Sequence, residues 1–139
     1  MIKNTAPLAA CLLRVSLGVL FIAHVGLKIF VFSIPGFVKF FAVLGLPPIA
    51  AYAVIALELF GGIALVAGVY PTLFAIPLAL EMLAVIVMVH GKNGWLFTNK
   101  GGGWEYPAFW AVMLVVLFLL GDGSYALTSS KNKGAKASE

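Results

Sequence analysis

Charged residues are scarce in this chain. Aspartate, glutamate, lysine and arginine make up 10% of its 139 residues, whereas an average soluble domain contains about 25%. Hydrophobic residues make up 63%, and the mean hydropathy is +1.09. A soluble core of this size cannot bury so much apolar surface. The composition therefore excludes an ordinary soluble domain and predicts an integral membrane protein with a single domain.

Cysteine and histidine are also rare. The single cysteine, Cys11, cannot form an internal disulfide or run a CxxC redox cycle, so we interpret it as a packed apolar residue. The two histidines, His24 and His90, lie on different apolar runs, so no metal site is expected. The net charge of +4 is not gathered into a basic stripe with interleaved aromatic residues, and no nucleic-acid partner is expected.

Long apolar runs are abundant. Each of four runs is close to the roughly 20 residues that cross a bilayer, and they cover residues 6–32, 49–69, 72–90 and 105–120. They predict an all-α fold, a transmembrane four-helix bundle. Residues 37–48, rich in phenylalanine, are predicted to lie in the membrane interface, and residues 128–139 to form a disordered tail.

An even number of spans puts both ends of the chain on one side of the membrane. Four lysines lie on that side and three lie in the loops on the other side. By the positive-inside rule, this difference favours cytoplasmic termini.

Three ionisable residues, Arg14, His24 and Lys28, interrupt the first apolar run. Because an α-helix turns by about 100° per residue, all three fall on one side of the helix. A charge in mid-membrane is costly, so these side chains are expected to face the protein interior or a water-filled cavity and to find partners there.

The other runs carry groups that can act as those partners. Glu58 and Glu81 lie near the middle of their runs, Glu105 lies near the end opposite the termini, and Asp122 lies on the side of the termini. The pairs expected from depth are Arg14 with Glu58 or Asp122, Lys28 with Glu105, and His24 with Glu58, Glu81 or His90.

Two spacings constrain how these groups meet. Gly61 and Gly62 share the helix face of Glu58, which predicts close approach of a neighbouring helix. Glu81 and His90 are nine residues apart, about 900° of rotation, and so lie on opposite faces of a regular helix. They can serve one site only if the helix ends or distorts before His90.

The ionisable residues divide into two predicted groups. Arginine does not change protonation state, so Arg14 is predicted to be structural, together with Glu105 and Asp122. The candidates for ligand binding or proton handling are His24, Lys28, Glu58, Glu81 and His90.

Several strings occur in a characteristic order: RVSLGVLFIAHVGLKIF, ELFGGIALVAG, GGGWEYP and GDGSYAL. Together they resemble the DoxX family of small bacterial membrane proteins. In the first string the resemblance is carried by Arg14, Gly18, Phe21, His24 and Lys28. In the second string it is carried by Glu58, Gly61, Gly62, Leu65 and Gly68.

The resemblance implies a four-helix protein of the bacterial inner membrane that is associated with membrane redox chemistry. It would bind a quinone-like or other small polar ligand in an intramembrane pocket, at most as a subunit of a quinone-linked oxidoreductase. One alternative is a non-catalytic partner that docks a membrane or periplasmic redox enzyme through residues 91–104, alone or as an oligomer. A further alternative is a small-molecule transporter.

Overall fold

The computed structural model describes residues 3–128, and these residues form helices and connecting turns without any strand. The five α-helices are α1 (Ala6–Gly26), α2 (Ile34–Val43), α3 (Pro48–Ala67), α4 (Pro71–Val85) and α5 (Glu105–Leu120). A π-helical turn continues α1 over Leu27–Val31, and a second one continues α4 over Ile86–His90, followed by a 3₁₀ turn over Gly91–Asn93. The all-α prediction is confirmed.

Three helical segments are long and apolar enough to cross a bilayer. They are Ala6–Val31 with 26 residues, Pro48–Ala67 with 20 and Pro71–Asn93 with 23. Large apolar side chains such as Leu12, which is 71% exposed, cover their outer surfaces, as contact with acyl chains requires. The helix α5 has 16 residues, or about 24 Å at 1.5 Å per residue, and its role as a fourth span stays a prediction.

Helix α1 packs against α3, and α4 packs against α5. Buried leucine and phenylalanine side chains fill the space between them, including Phe21, Leu65, Leu78 and Leu114, each with no exposed surface. A Cβ added to Gly18 would lie 2.7 Å from the carbonyl oxygen of Gly62, so only glycine permits the observed distance between α1 and α3.

The two glycines that follow Glu58 face different neighbours. Gly62 faces α1, whereas a Cβ on Gly61 would lie 3.0 Å from the Leu78 side chain of α4. The predicted close approach therefore occurs, and α3 makes it on two sides. This double contact places Glu58 at the centre of the bundle.

Arg14 is fully buried and holds the end of α3. Its guanidinium donates to the carbonyl oxygens of Leu65 and Val66, each at 2.8 Å, and to that of Ser124 at 3.0 Å. The last carbonyls of a helix have no partner within the helix and carry its negative dipole end. Glu58 and Asp122 were the two partners predicted for Arg14 from depth. The pair with Glu58 is wrong, because Glu58 binds Lys28 instead.

The turn from α3 to α4 is also fixed. Gly68 ends α3 with φ 73°, and a Cβ there would lie 2.7 Å from a guanidinium nitrogen of Arg14. The Thr128 hydroxyl accepts a hydrogen bond from the Tyr70 backbone amide at 2.7 Å, and the Thr128 backbone amide donates to the Gly68 carbonyl oxygen at 3.0 Å. Thr128 is therefore anchored to the bundle, and the rest of the predicted tail, residues 129–139, lies outside the described residues.

The predicted interfacial segment contains the short helix α2. Its N-terminus is capped by the Ser33 hydroxyl, which accepts the Gly36 amide at 3.2 Å. Phe37 and Phe41 are buried against α3, while Phe40 and Val43 are 42% and 81% exposed. Helix α2 therefore has one buried and one exposed face. It covers one end of the bundle and forms a wall of the cavity described next.

Candidate ligand-binding site

A cavity of about 420 Å³ lies between α2 and the parts of α1, α3, α4 and α5 that α2 covers. Its walls are largely apolar and include Phe37, Phe40 and Phe41. The polar groups are few. All five residues predicted to handle ligand or protons line this cavity: His24, Lys28, Glu58, Glu81 and His90.

Lys28 and Glu58 form an ion pair within the cavity wall. The Lys28 Nζ lies 2.7 Å from Glu58 Oε2, and the two side chains are 12% and 3% exposed. The same Nζ lies 5.4 Å from the centre of the Phe37 ring, which supplies a further favourable contact for the cation.

The predicted pair of Lys28 with Glu105 is wrong. Glu105 lies at the start of α5, where its Oε1 accepts the backbone amide of Phe97 at 3.0 Å. It therefore ties the loop after α4 to the first turn of α5. Asp122, also predicted to be structural, is buried and accepts the Thr72 hydroxyl at 3.3 Å.

Glu81 brings a second carboxyl group to the ion pair. Its side chain is buried, and no group other than the Glu58 carboxyl lies within hydrogen-bonding distance of its oxygens in residues 3–128. It lies within electrostatic range of both Glu58 and Lys28. One cation therefore faces two carboxyl groups, so a proton on a carboxyl group, or a cationic or proton-donating ligand, is needed to balance the charge.

His24 lies beside the ion pair and against Trp110. The two rings meet edge to face with their centres 4.9 Å apart. His24 is within electrostatic range of Glu58, but it makes no hydrogen bond to any of its three predicted partners in the described part of the chain. Its ring nitrogens are therefore available to a bound molecule.

Trp110 was not among the residues singled out from the sequence. Its Nε1 is buried and has no acceptor among the described residues. A signal was present, because Trp110 is the tryptophan that falls inside a predicted span, whereas Trp95 and Trp104 lie in a loop. An indole in a span needs a partner for its N–H group.

His90 reaches the cavity because α4 ends in a π turn. A π turn accommodates one extra residue, so the rotation between Glu81 and His90 falls to about 800°, an offset of about 80° instead of 180°. The distortion that the spacing required is present at Ile86–His90. Such π turns are frequent at functional sites.

The hydrogen bonds of His90 define its tautomer. Its Nδ1 lies 2.9 Å from the Gly102 carbonyl oxygen, which can only accept, so Nδ1 carries the proton. Its Nε2 then accepts from the Tyr106 hydroxyl at 2.7 Å. Asn93 donates to the same Gly102 carbonyl at 2.9 Å and orders the loop around His90. The hydrogen-bonded His90–Tyr106 pair therefore links the cavity to the loop between α4 and α5.

The cavity thus combines aromatic walls with a small polar cluster that has unused donors and acceptors. Within residues 3–128 no group of three or more histidine, cysteine, aspartate or glutamate side chains is arranged to hold a metal ion. The fold and this cavity define an α-helical, multi-pass membrane protein with a polar site among its helices.

The chain belongs to the DoxX family. The family model, described as DoxX, matches residues 9–91, a range that includes the five predicted cavity residues and ends before Trp110. The chain is 30% identical over 134 residues to a protein of Bacillus subtilis (strain 168) named "Putative oxidoreductase CatD", and the match covers 96% of this chain and 95% of that protein. No solved structure matches this chain.

Proposed function

We propose that this protein binds a quinone-like ligand in the cavity and serves membrane redox chemistry in the bacterial inner membrane. The observation that supports the proposal most directly is a cluster of buried polar groups in the wall of an otherwise apolar cavity. Trp110 has a buried N–H group without an acceptor among the described residues, Glu81 has no partner other than the Glu58 carboxyl, and both line the cavity together with the Lys28–Glu58 pair. The name of the Bacillus subtilis relative agrees with a redox role.

The chemistry of the cavity fits such a ligand. A quinone has a flat apolar ring and two carbonyl oxygens, and the oxygens need donors. Trp110 Nε1 and Lys28 Nζ are donors, and Phe37 and Phe41 offer flat apolar contacts. The cavity volume of about 420 Å³ is within the range of about 300–1,000 Å³ that is typical for small-molecule sites.

The residues of this chain would bind, orient and hold protons. Glu81 can hold a proton, or it can accept a hydrogen bond from a hydroxyl group of the reduced ligand. His24 can also carry a proton. The Lys28–Glu58 pair keeps a fixed dipole at the polar end of the cavity. Electron transfer requires a partner enzyme, because the sequence contains no cofactor motif and no pair of cysteines.

Orientation in the membrane determines where that partner lies. With both termini in the cytoplasm, the loop between α4 and α5, and with it the His90–Tyr106 pair, faces the periplasm. Protons would then exchange with that side, and the partner would be a membrane or periplasmic enzyme.

The proposal is tested by measuring the binding of a benzoquinone with a decyl tail to protein purified in lipid nanodiscs. We expect Trp110→Phe, which keeps the ring and removes the donor, and His24→Ala to weaken binding by about tenfold each, as loss of one buried hydrogen bond predicts. Trp95→Phe in the loop is the matched control and should bind as the wild type does. Equal affinity in all four proteins would reject the proposed site.

A second candidate is a non-catalytic partner that docks a redox enzyme. It is favoured by the loop after α4, which is folded by hydrogen bonds from Asn93 and Asn99 and exposes apolar side chains at its surface: Trp95, Leu96 and Phe97, which are 52%, 53% and 63% exposed. A photo-crosslinking residue at Phe97 should then capture an oxidoreductase in cells, whereas the same residue at Leu73, on the exposed side of α4, should not. Capture from neither position would remove this candidate.

A further inference from the structure

A second cavity lies next to the first. It has a volume of about 250 Å³ and is lined by Phe32, Gly36, Phe37 and Phe40, with no polar side chain among them. The three phenylalanines also line the first cavity. The two cavities therefore share an aromatic wall, and the second one extends the first in an apolar direction.

The shared wall leads from the ion pair to the outside of the bundle. Phe37 lies beside Lys28 on the polar side, and its ring stacks on that of Phe40 with a centre-to-centre distance of 6.5 Å. Phe40 and Phe32 are 42% and 54% exposed, on a surface where the bilayer supplies acyl chains. A molecule that touches Lys28 at one end can thus follow these rings to the lipid.

We propose that the second cavity holds the hydrocarbon tail of the ligand whose polar head occupies the first. The ligand class is then a lipid-soluble amphiphile, with a polar ring at one end and an isoprenoid or alkyl chain at the other, that reaches the site sideways from the bilayer. A short water-soluble solute would use only the first cavity. This inference rests on the proposed function and adds the tail site and the route to it.

Gly36 allows a direct test. An added Cβ there lies 3.2 Å from one atom, the Ser33 hydroxyl oxygen, which must move by a few tenths of an ångström and can do so because Ser33 is exposed. A larger side chain can then extend into the second cavity, which Gly36 lines. Gly26 in α1 is the matched control, since an added Cβ meets no atom closer than 4.0 Å and Gly26 lines neither cavity. We compare Gly36→Leu and Gly26→Leu with the wild type in nanodiscs.

Two probes separate the head from the tail: a dimethoxy-methyl-benzoquinone without a tail, and the same ring with a decyl chain. Taking the ratio of wild-type to variant affinity for each probe cancels its partitioning into the bilayer. We expect Gly36→Leu to weaken binding of the decyl probe by about tenfold, which is the effect of losing the burial of about two methylene groups. The affinity for the tail-free probe should change less than twofold, and Gly26→Leu should leave the affinities for both probes unchanged.

The outcomes distinguish this inference from the proposed function. If both probes bind the wild type and Gly36→Leu changes their affinities by the same factor or not at all, the tail site is refuted and the head site stands. If the wild type binds neither probe, the proposed function fails, and the tail site fails with it. Should Gly36→Leu not fold, Gly36→Met fills the same space with an unbranched side chain and must give the same selectivity.

Discussion

Removing the cation from the Lys28–Glu58 pair is the sharpest test of how the cavity is held together. The two side chains touch at 2.7 Å, and Glu58 is 3% exposed, so water cannot replace Lys28 if it becomes methionine. Glu58 would then be left buried, next to the second carboxyl group of Glu81. Removing one partner of a buried ion pair costs about 3–5 kcal/mol, and we expect Lys28→Met to lower the free energy of unfolding by that amount.

The double variant Lys28→Met with Glu58→Gln is the control for this prediction. It leaves no unpaired charge from the pair, and replacing a buried pair by neutral groups is often close to neutral. We expect it to lie within about 1–2 kcal/mol of the wild type, and so to be more stable than Lys28→Met alone. Reversible unfolding in mixed detergent–SDS micelles, followed by circular dichroism, measures these free energies.

The reasoning would be refuted by either of two results. A Lys28→Met protein as stable as the wild type would mean that the pair is not energetically coupled. With Glu58→Gln measured alone as well, a double variant that is destabilised by the sum of the two single changes would mean that each residue acts through contacts other than the pair.

Two further predictions concern how α1 is held against α3. Gly18→Ala places a methyl group 2.7 Å from a backbone carbonyl of α3, so we expect a loss of about 1–3 kcal/mol of stability from overpacking. Gly26→Ala, whose methyl group would lie 4.0 Å from the Phe30 ring in ordinary van der Waals contact, should cost nothing by the same unfolding assay. In Arg14→Lys, the lysine cannot reach all three carbonyl acceptors at once, so we expect a loss of about 2–4 kcal/mol of stability. Amide hydrogen exchange near Ser124 should then be faster. Unchanged exchange there would contradict the proposed anchoring of this segment.

Much of the fold was predictable because it follows from local composition. Apolar runs of helical length predict helices, and the prolines and glycines at residues 48, 68 and 71 mark where α3 begins and ends and where α4 begins. The shared face of Arg14, His24 and Lys28 followed from helix geometry alone. The role of the short helix α2 was harder to predict. Its phenylalanines indicated a segment in the membrane interface, but not that it forms a wall of the cavity.

The partners of the charged residues were less predictable. The sequence gives depth along each helix but not rotation about it, and the two π turns change that rotation. Lys28 lies within the first π turn and His90 within the second. Three of the acceptors of Arg14 are backbone carbonyls, which every sequence contains and which no residue pattern can single out; the fourth is the Cys11 sulfur at 3.5 Å.

By itself, the sequence determined that this chain is an all-helical membrane protein and that its ionisable residues must turn away from lipid. Those conclusions depend on solvation, which each residue carries with it wherever it lies. The tertiary structure alone decided that Lys28 meets Glu58, that the Glu81 carboxyl lies against that of Glu58, that Trp110 keeps an N–H group without an acceptor among the described residues, and that two aromatic cavities adjoin. Contacts of this kind depend on the relative rotation of packed helices, a quantity that arises only when all of them are in place.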